Sequence, residues 1–167
     1  MRPPLALVPA LAISLLAAVA PAGAQQPGPR PTPDTPGIRT SAAQLASALR
    51  AASVQRPELA LATIGVTDQY QIHEVRRSKA SGGPAIHHGW TELQFVLSGG
   101  ATFVTGGKIE VQPGKPLGII VGGKSQQVHA GDAVIVPPET PHQYTKIDSK
   151  GLTVLEVRMA TPAGATP

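Results

Sequence analysis

The chain contains no cysteine and few aromatics: one tryptophan, two tyrosines and two phenylalanines in 167 residues. Without cysteine no disulfide can form, even in an oxidising compartment, so stability has to come from packing, with a bound metal the one other cross-link open to the chain. A nucleic-acid surface is also missing. The net charge is +4, but Arg and Lys are scattered, form no stripe and have almost no interleaved aromatics. Two catalytic signatures are absent as well. Gly-Gly-Lys occurs at 106–108 and 122–124, yet no G-x4-G-K-S/T loop opens a helix, which removes the phosphate-cradling reading. No G-x-S-x-G elbow is present to support Ser-His-Asp catalysis. What the chain does have is histidine, five in all.

The first 24 residues read as a secretory signal peptide. Arg2 gives a positive start, residues 5–20 are apolar apart from Ser14, and Ala22-Gly23-Ala24 supplies a small-residue cleavage pattern before Gln25. Pro9 breaks the apolar run, which is short for a bilayer of roughly 30 Å. The expected product is periplasmic or secreted, with no membrane contact after cleavage. Residues 25–39 are Pro-rich and read as a disordered linker, and 160–167 as a tail of the same kind. Residues 40–159 remain as one folded domain.

Within that domain, Ser41 followed by Gln44 fits a capping box, and Leu45 and Leu49 stand at helical spacing, so a short helix is expected over 41–53. Pro57 ends any continuation of it. The period then becomes alternating. Strands are expected at 69–77, 91–97, 101–106, 117–122, 124–129, 133–137, 142–147 and 152–159, separated by Gly and Pro punctuation. Many short strands with no helix between them indicate an all-β antiparallel sandwich or barrel, and an eight-stranded jelly roll fits the count.

Two segments carry the chemistry. In the first, "IHHGWTELQFVLSGG" at 86–100, Glu92, Gln94 and Val96 should share one face of a strand. A carboxylate on an apolar strand sits either at a solvated edge or in the interior with a compensating partner such as a metal ion. The second segment, "GDAVIVPPETPHQY" at 131–144, has a Gly-Asp turn, an apolar strand, a proline-rich corner and then His142.

Together the two segments resemble the paired motifs of the cupin superfamily, G-x5-H-x-H-x3,4-E-x6-G and G-x5-P-x-G-x2-H-x3-N. Glu92 is followed by six residues and Gly99, and Gly131, Pro137 and His142 stand at their positions in the second motif. The resemblance covers about 70–159. It implies a cupin jelly-roll barrel and a metal held by one histidine of the first motif together with Glu92 and His142. The departures are specific. Counting four residues before Glu92 selects His87 and leaves Ala85 in the first ligand position; counting three selects His88 and leaves Ile86 there. The four-residue form is commoner in the family and favours His87, whereas strict strand alternation from 86 to 92 would put His88 on the face of Glu92 unless Gly89 interrupts it. Glu139 replaces the usual glycine of the second motif, and Lys146 the asparagine.

Two histidines and one carboxylate leave positions open for water, substrate or dioxygen, a set that suits Fe, Mn, Ni or Zn. The resemblance therefore implies a metal-dependent small-molecule enzyme of the dioxygenase or isomerase/lyase type, with Glu92 as ligand or base. Gln94, Tyr144 and Trp90 are the expected ligand-binding side chains. The alternative is a non-catalytic cupin that captures a sugar or organic acid in a degenerate site. A homodimer is implied by the family only. His73 and His129 read as ordinary partly buried polar residues.

Overall fold

The computed structural model describes residue 34 and residues 36–162. The expected signal peptide, most of the linker and residues 163–167 of the tail lie outside the described residues. The domain opens with helix α1 (Ala42–Gln55). Its start follows from the capping box: the Gln44 N–H donates to Ser41 Oγ at 3.3 Å and the Ser41 N–H donates to Gln44 Oε1 at 2.8 Å. Leu49, buried on the inner face of the helix, packs on Ala60 and Ala62, with Leu45 and Ala52 around it. Among the described residues, no helix is long and apolar enough to cross a membrane.

The strands are β1 (Leu59–Val66), β2 (Tyr70–Arg77), β3 (Trp90–Thr105), β4 (Lys108–Gln112), β5 (Lys115–Val121), β6 (Lys124–His129), β7 (Ala133–Val136) and β8 (His142–Ala160). All pairings are antiparallel. The main sheet runs β1-β2-β8-β3-β6 with β7 also on β3, and β4-β5 form a separate ribbon; the sheet does not close on itself.

The strand boundaries differ from those expected in two ways. The segments 91–97 and 101–106 are one strand, as are 142–147 and 152–159, because glycines let the chain bend without ending the ladder. At Gly99 φ is 77°, and a Cβ there would stand 1.9 Å from the Gly151 carbonyl oxygen. The backbones of β3 and β8 therefore touch at this corner, where only glycine fits. The other difference is that β1 and β4 arise where no strand was expected.

The corner decides where the site forms. The first half of β3 pairs with the second half of β8, from Trp90↔Ala160 to Gly99↔Leu152, and the second half of β3 returns along the first half of β8, from Ala101↔Ile147 to Thr105↔His142. His142 and Glu92 thus belong to opposite halves of this bent pair. Across β2, β8 and β3 the registers stack side chains of one face into rows: Gln71, Arg158 and Glu92; then His73, Glu156 and Gln94; then Val75, Val154 and Val96. The last row belongs to the core with Phe103, Val136, Tyr144 and Leu152. Burying each large apolar side chain there stabilises the fold by about 1.5–3 kcal/mol.

Candidate metal centre

His87 reaches the site from the segment before β3. Ala85 and His142 exchange backbone hydrogen bonds, both 2.9 Å, which fastens this segment beside the start of β8. His87 Nε2 then lies 3.2 Å from Glu92 Oε2, and His142 Nε2 lies 3.3 Å from Glu92 Oε1. The ligating atoms of the three residues all fall within 4.8 Å of one another. Glu92 and His142 are buried and His87 is partly open.

The set fits a divalent transition metal on two grounds. Ligands held about 2.1 Å from such a metal stand roughly 3–3.5 Å apart, which is the spacing Glu92 keeps from each histidine. The His142 Nδ1–H also donates to the Thr140 carbonyl at 3.0 Å, which leaves Nε2, the nitrogen facing Glu92, as the one that would ligate a metal once it gives up its proton.

His88 lies outside this group. It is 80% exposed, and its Nδ1–H donates to the carboxylate of Glu139, which also accepts the Gly89 N–H at 3.0 Å. Gly89 adopts a φ of 71°, so strand alternation does not extend back from Glu92, and the two adjacent histidines face different surroundings. Glu139 stands where the cupin motif has glycine, and its φ of 62° is the left-handed conformation that glycine adopts freely. The side chain that replaces this glycine is the one that holds His88 away from the site.

The interior around Glu92 is a connected polar network. Arg158 Nε donates to Glu92 Oε2 at 2.6 Å, its Nη1 to Gln71 Oε1 at 3.2 Å, and its Nη2 to Glu156. Gln94 Nε2 donates to Glu92 Oε1 at 2.6 Å and to Glu156 Oε2 at 3.1 Å, and its Oε1 accepts the Tyr144 hydroxyl at 3.2 Å. Gln94 and Tyr144 therefore sit on the same face as Glu92 and His142. Trp90, partly buried at the start of β3, is not among the residues lining the cavity beside the ligands.

This network separates the titrations of its members. Burial alone would raise the Glu92 carboxyl, but hydrogen bonds from His142, His87 and Arg158 outweigh it and hold Glu92 well below the usual carboxylate range. Glu156 moves the other way: burial first, then the neighbouring Glu92 charge, raise it against the opposing pull of Arg158, Gln94 and Arg77. For His142 burial opposes the charged form, but the Glu92 carboxylate and the Thr140 carbonyl raise its pKa. Burial pushes the Tyr144 phenol up, and burial with Arg158 lowers His73.

Glu156, Arg158 and Arg77 are site residues that the sequence reading passed over. The first two had a signal of the kind that singled out Glu92: charged side chains in register with Leu152 and Val154 on the buried face of an apolar strand. His73 is buried in the row of Glu156, with its Nδ1 unpartnered. His129 is exposed at the turn where Asp132 accepts its backbone N–H at 2.8 Å.

No protein-family model matches the chain, and no curated protein does. Solved structures do match. The nucleoside dehydratase Pac13 from Streptomyces is 14% identical with a TM-score of 0.46, over 62% of this chain and 71% of that one. The cupin domain of Cnp3 from Schizosaccharomyces pombe is 8% identical with a TM-score of 0.48, over 62% and 65%. A cupin superfamily protein from Desulfitobacterium hafniense DCB-2 is 14% identical with a TM-score of 0.44, over 61% and 77%. Cupins are among the structures it matches. These likenesses concern the fold, and the site stands on its own geometry.

Proposed function

We propose that this chain is a metal-dependent enzyme acting on a small molecule, with His87, Glu92 and His142 holding a divalent transition metal and the interior network serving proton transfer. The observation that carries the reading is the three-ligand cluster whose His142 tautomer is fixed by Thr140. A metal bound there would supply Lewis acidity toward a carbonyl or similar oxygen. The chain's own residues favour isomerase or lyase chemistry over dioxygenation. Glu92 and Glu156 share Gln94 and Arg158, yet their pKa values are driven apart. With Glu92 ionised as a ligand, the raised carboxyl of Glu156 is the group left to give and take a proton. Glu156 lines the cavity and is suited to hold a proton, Arg158 keeps Glu92 ionised and oriented, and buried Tyr144 stays a hydroxyl that donates to Gln94.

A second reading, ligand capture without turnover, is favoured by one observation: Glu92 is already satisfied by Arg158, Gln94 and the two histidines. The proposed setting is the periplasm or the cell exterior, as residues 1–24 suggest, with a small molecule as partner and pairing of two copies implied by the family resemblance.

The test is elemental analysis of untagged protein from its native compartment. Close to one Fe, Mn, Ni or Zn per chain, lost on chelation and restored on reloading, is the expected result. Protein that neither contains nor takes up metal would contradict the enzyme reading and leave ligand capture.

A further inference from the structure

The cavity beside the three ligands contains two guanidiniums, and the protein uses them differently. Arg158 is committed on all sides, to Glu92, Gln71 and Glu156. Arg77, the last residue of β2, is not. Its Nε is buried without a hydrogen-bond partner, and its guanidinium carbon stands over the Tyr144 ring, 5.4 Å from the centre. Tyr144 in turn donates to Gln94, which donates to Glu92, so Arg77 lies at the far end of a chain of contacts that begins at the ligands. Burial also lowers the Arg77 pKa, the opposite of what an ion-paired guanidinium shows.

The charge balance points the same way. Among the residues that line the cavity or bond to it, Arg77 and Arg158 face one ionised carboxylate, Glu92, and one carboxyl suited to hold a proton, Glu156. A divalent metal on His87, Glu92 and His142 then brings positive charge that no side chain offsets, and buried charge without a partner is costly. An anionic ligand would offset it. The space is about 110 Å³, well below the roughly 300–1,000 Å³ of pockets for drug-sized molecules. Its apolar lining comes from Phe103 and from Ala85, whose small side chain occupies a ligand position of the family motif and leaves room beside His142.

Resting on the metal-site reading above, we propose that the ligand is a short-chain carboxylic acid, bound through its carboxylate by the Arg77 guanidinium with its carbon body against Phe103 and Ala85. Arginine suits this role because its planar fork matches a carboxylate with two parallel N–H donors, which lysine cannot present.

The test is calorimetric titration of the full chain, both metal-reconstituted and chelator-stripped, with acetate, pyruvate and malonate and with the neutral amides of the same acids. At least one acid should bind the metal-reconstituted form, and the stripped form more weakly, while its amide binds neither. Arg77→Met should weaken that acid by at least about tenfold, as expected for losing hydrogen bonds to a charged group, with metal content unchanged. Arg77→Lys should fall between the two and serves as the informative variant if Arg77→Met does not fold. The inference is overturned if no acid binds the wild-type chain, if the amides bind as tightly as the acids, or if the variants bind the acids like wild type. Acid binding by the stripped chain that depends on Arg77, in a protein that never takes up metal, would uphold Arg77 and reject the metal site, so the two claims fail separately.

Discussion

The inner face of the β2-β8-β3 sheet has two ends built on one backbone plan. At one end Val75, Val154 and Val96 stack across the three strands; two and four residues further along, His73, Glu156 and Gln94, then Gln71, Arg158 and Glu92, occupy equivalent places. Geometry is shared and chemistry is not. The apolar row stabilises the domain simply by being buried. The polar rows desolvate charges that ion pairing only partly offsets, so their presence points to a role beyond stability.

The comparison is broken most severely at its apolar end. Phe103 is fully buried against the rings of Tyr144 and His142. Phe103→Ala should cost about 3–5 kcal/mol, read as a lower denaturation midpoint with unchanged slope. At the polar end, Arg158→Met strands two carboxylates and should cost about 3 kcal/mol or more. Replacing the whole cluster, Glu92→Leu with Glu156→Leu and Arg158→Met, should give a metal-free protein that melts at or above the wild-type temperature. A triple variant less stable than Arg158→Met would show that the polar rows stabilise the fold after all.

A smaller effect is expected from pH. In stripped protein His142 is raised above its ordinary 6.5, so its contribution is full below that pH and is lost as pH rises through the folded value. Glu92 is lowered from 4.5, so its contribution is present above that pH and is lost as pH falls through the folded value. The pair should therefore support the stripped fold best between these limits. Metal must displace the His142 proton, so its apparent affinity should climb by about tenfold per pH unit until His142 is neutral. Competition with a chelator at several pH values would read this, and a flat profile would argue against His142 as a ligand.

The smallest effect should come from the exposed pair: Glu139→Gly, which removes a side chain from a left-handed position and frees His88, should shift the melting temperature little and leave metal content as it was.

How much of this could be read beforehand depended on whether a residue's burial left a pattern. The helix was visible from Ser41, Gln44, Leu45 and Leu49, and the central strands from their alternation. β1 was not, because its buried positions are Ala60 and Ala62, small residues that carry little strand signal. β4 is exposed throughout, yet Ile109 and Val111 alternate with Lys108, Glu110 and Gln112, so its signal was present in the sequence and was passed over. In the site, His87, Glu92 and His142 stood at motif spacings, but the choice between His87 and His88 depended on the φ of Gly89 and on the reach of Glu139, which spacing does not encode. Arg77 lies at a strand end whose approach to Tyr144 depends on how the sheet curves.

The central claim is that one histidine of the adjacent pair serves the metal and the other does not. Metal per chain, measured side by side in His87→Ala and His88→Ala after identical reloading, tests it most directly. The account predicts that His87→Ala loses the metal and His88→Ala keeps it at the wild-type level. Loss in His88→Ala with retention in His87→Ala would contradict it.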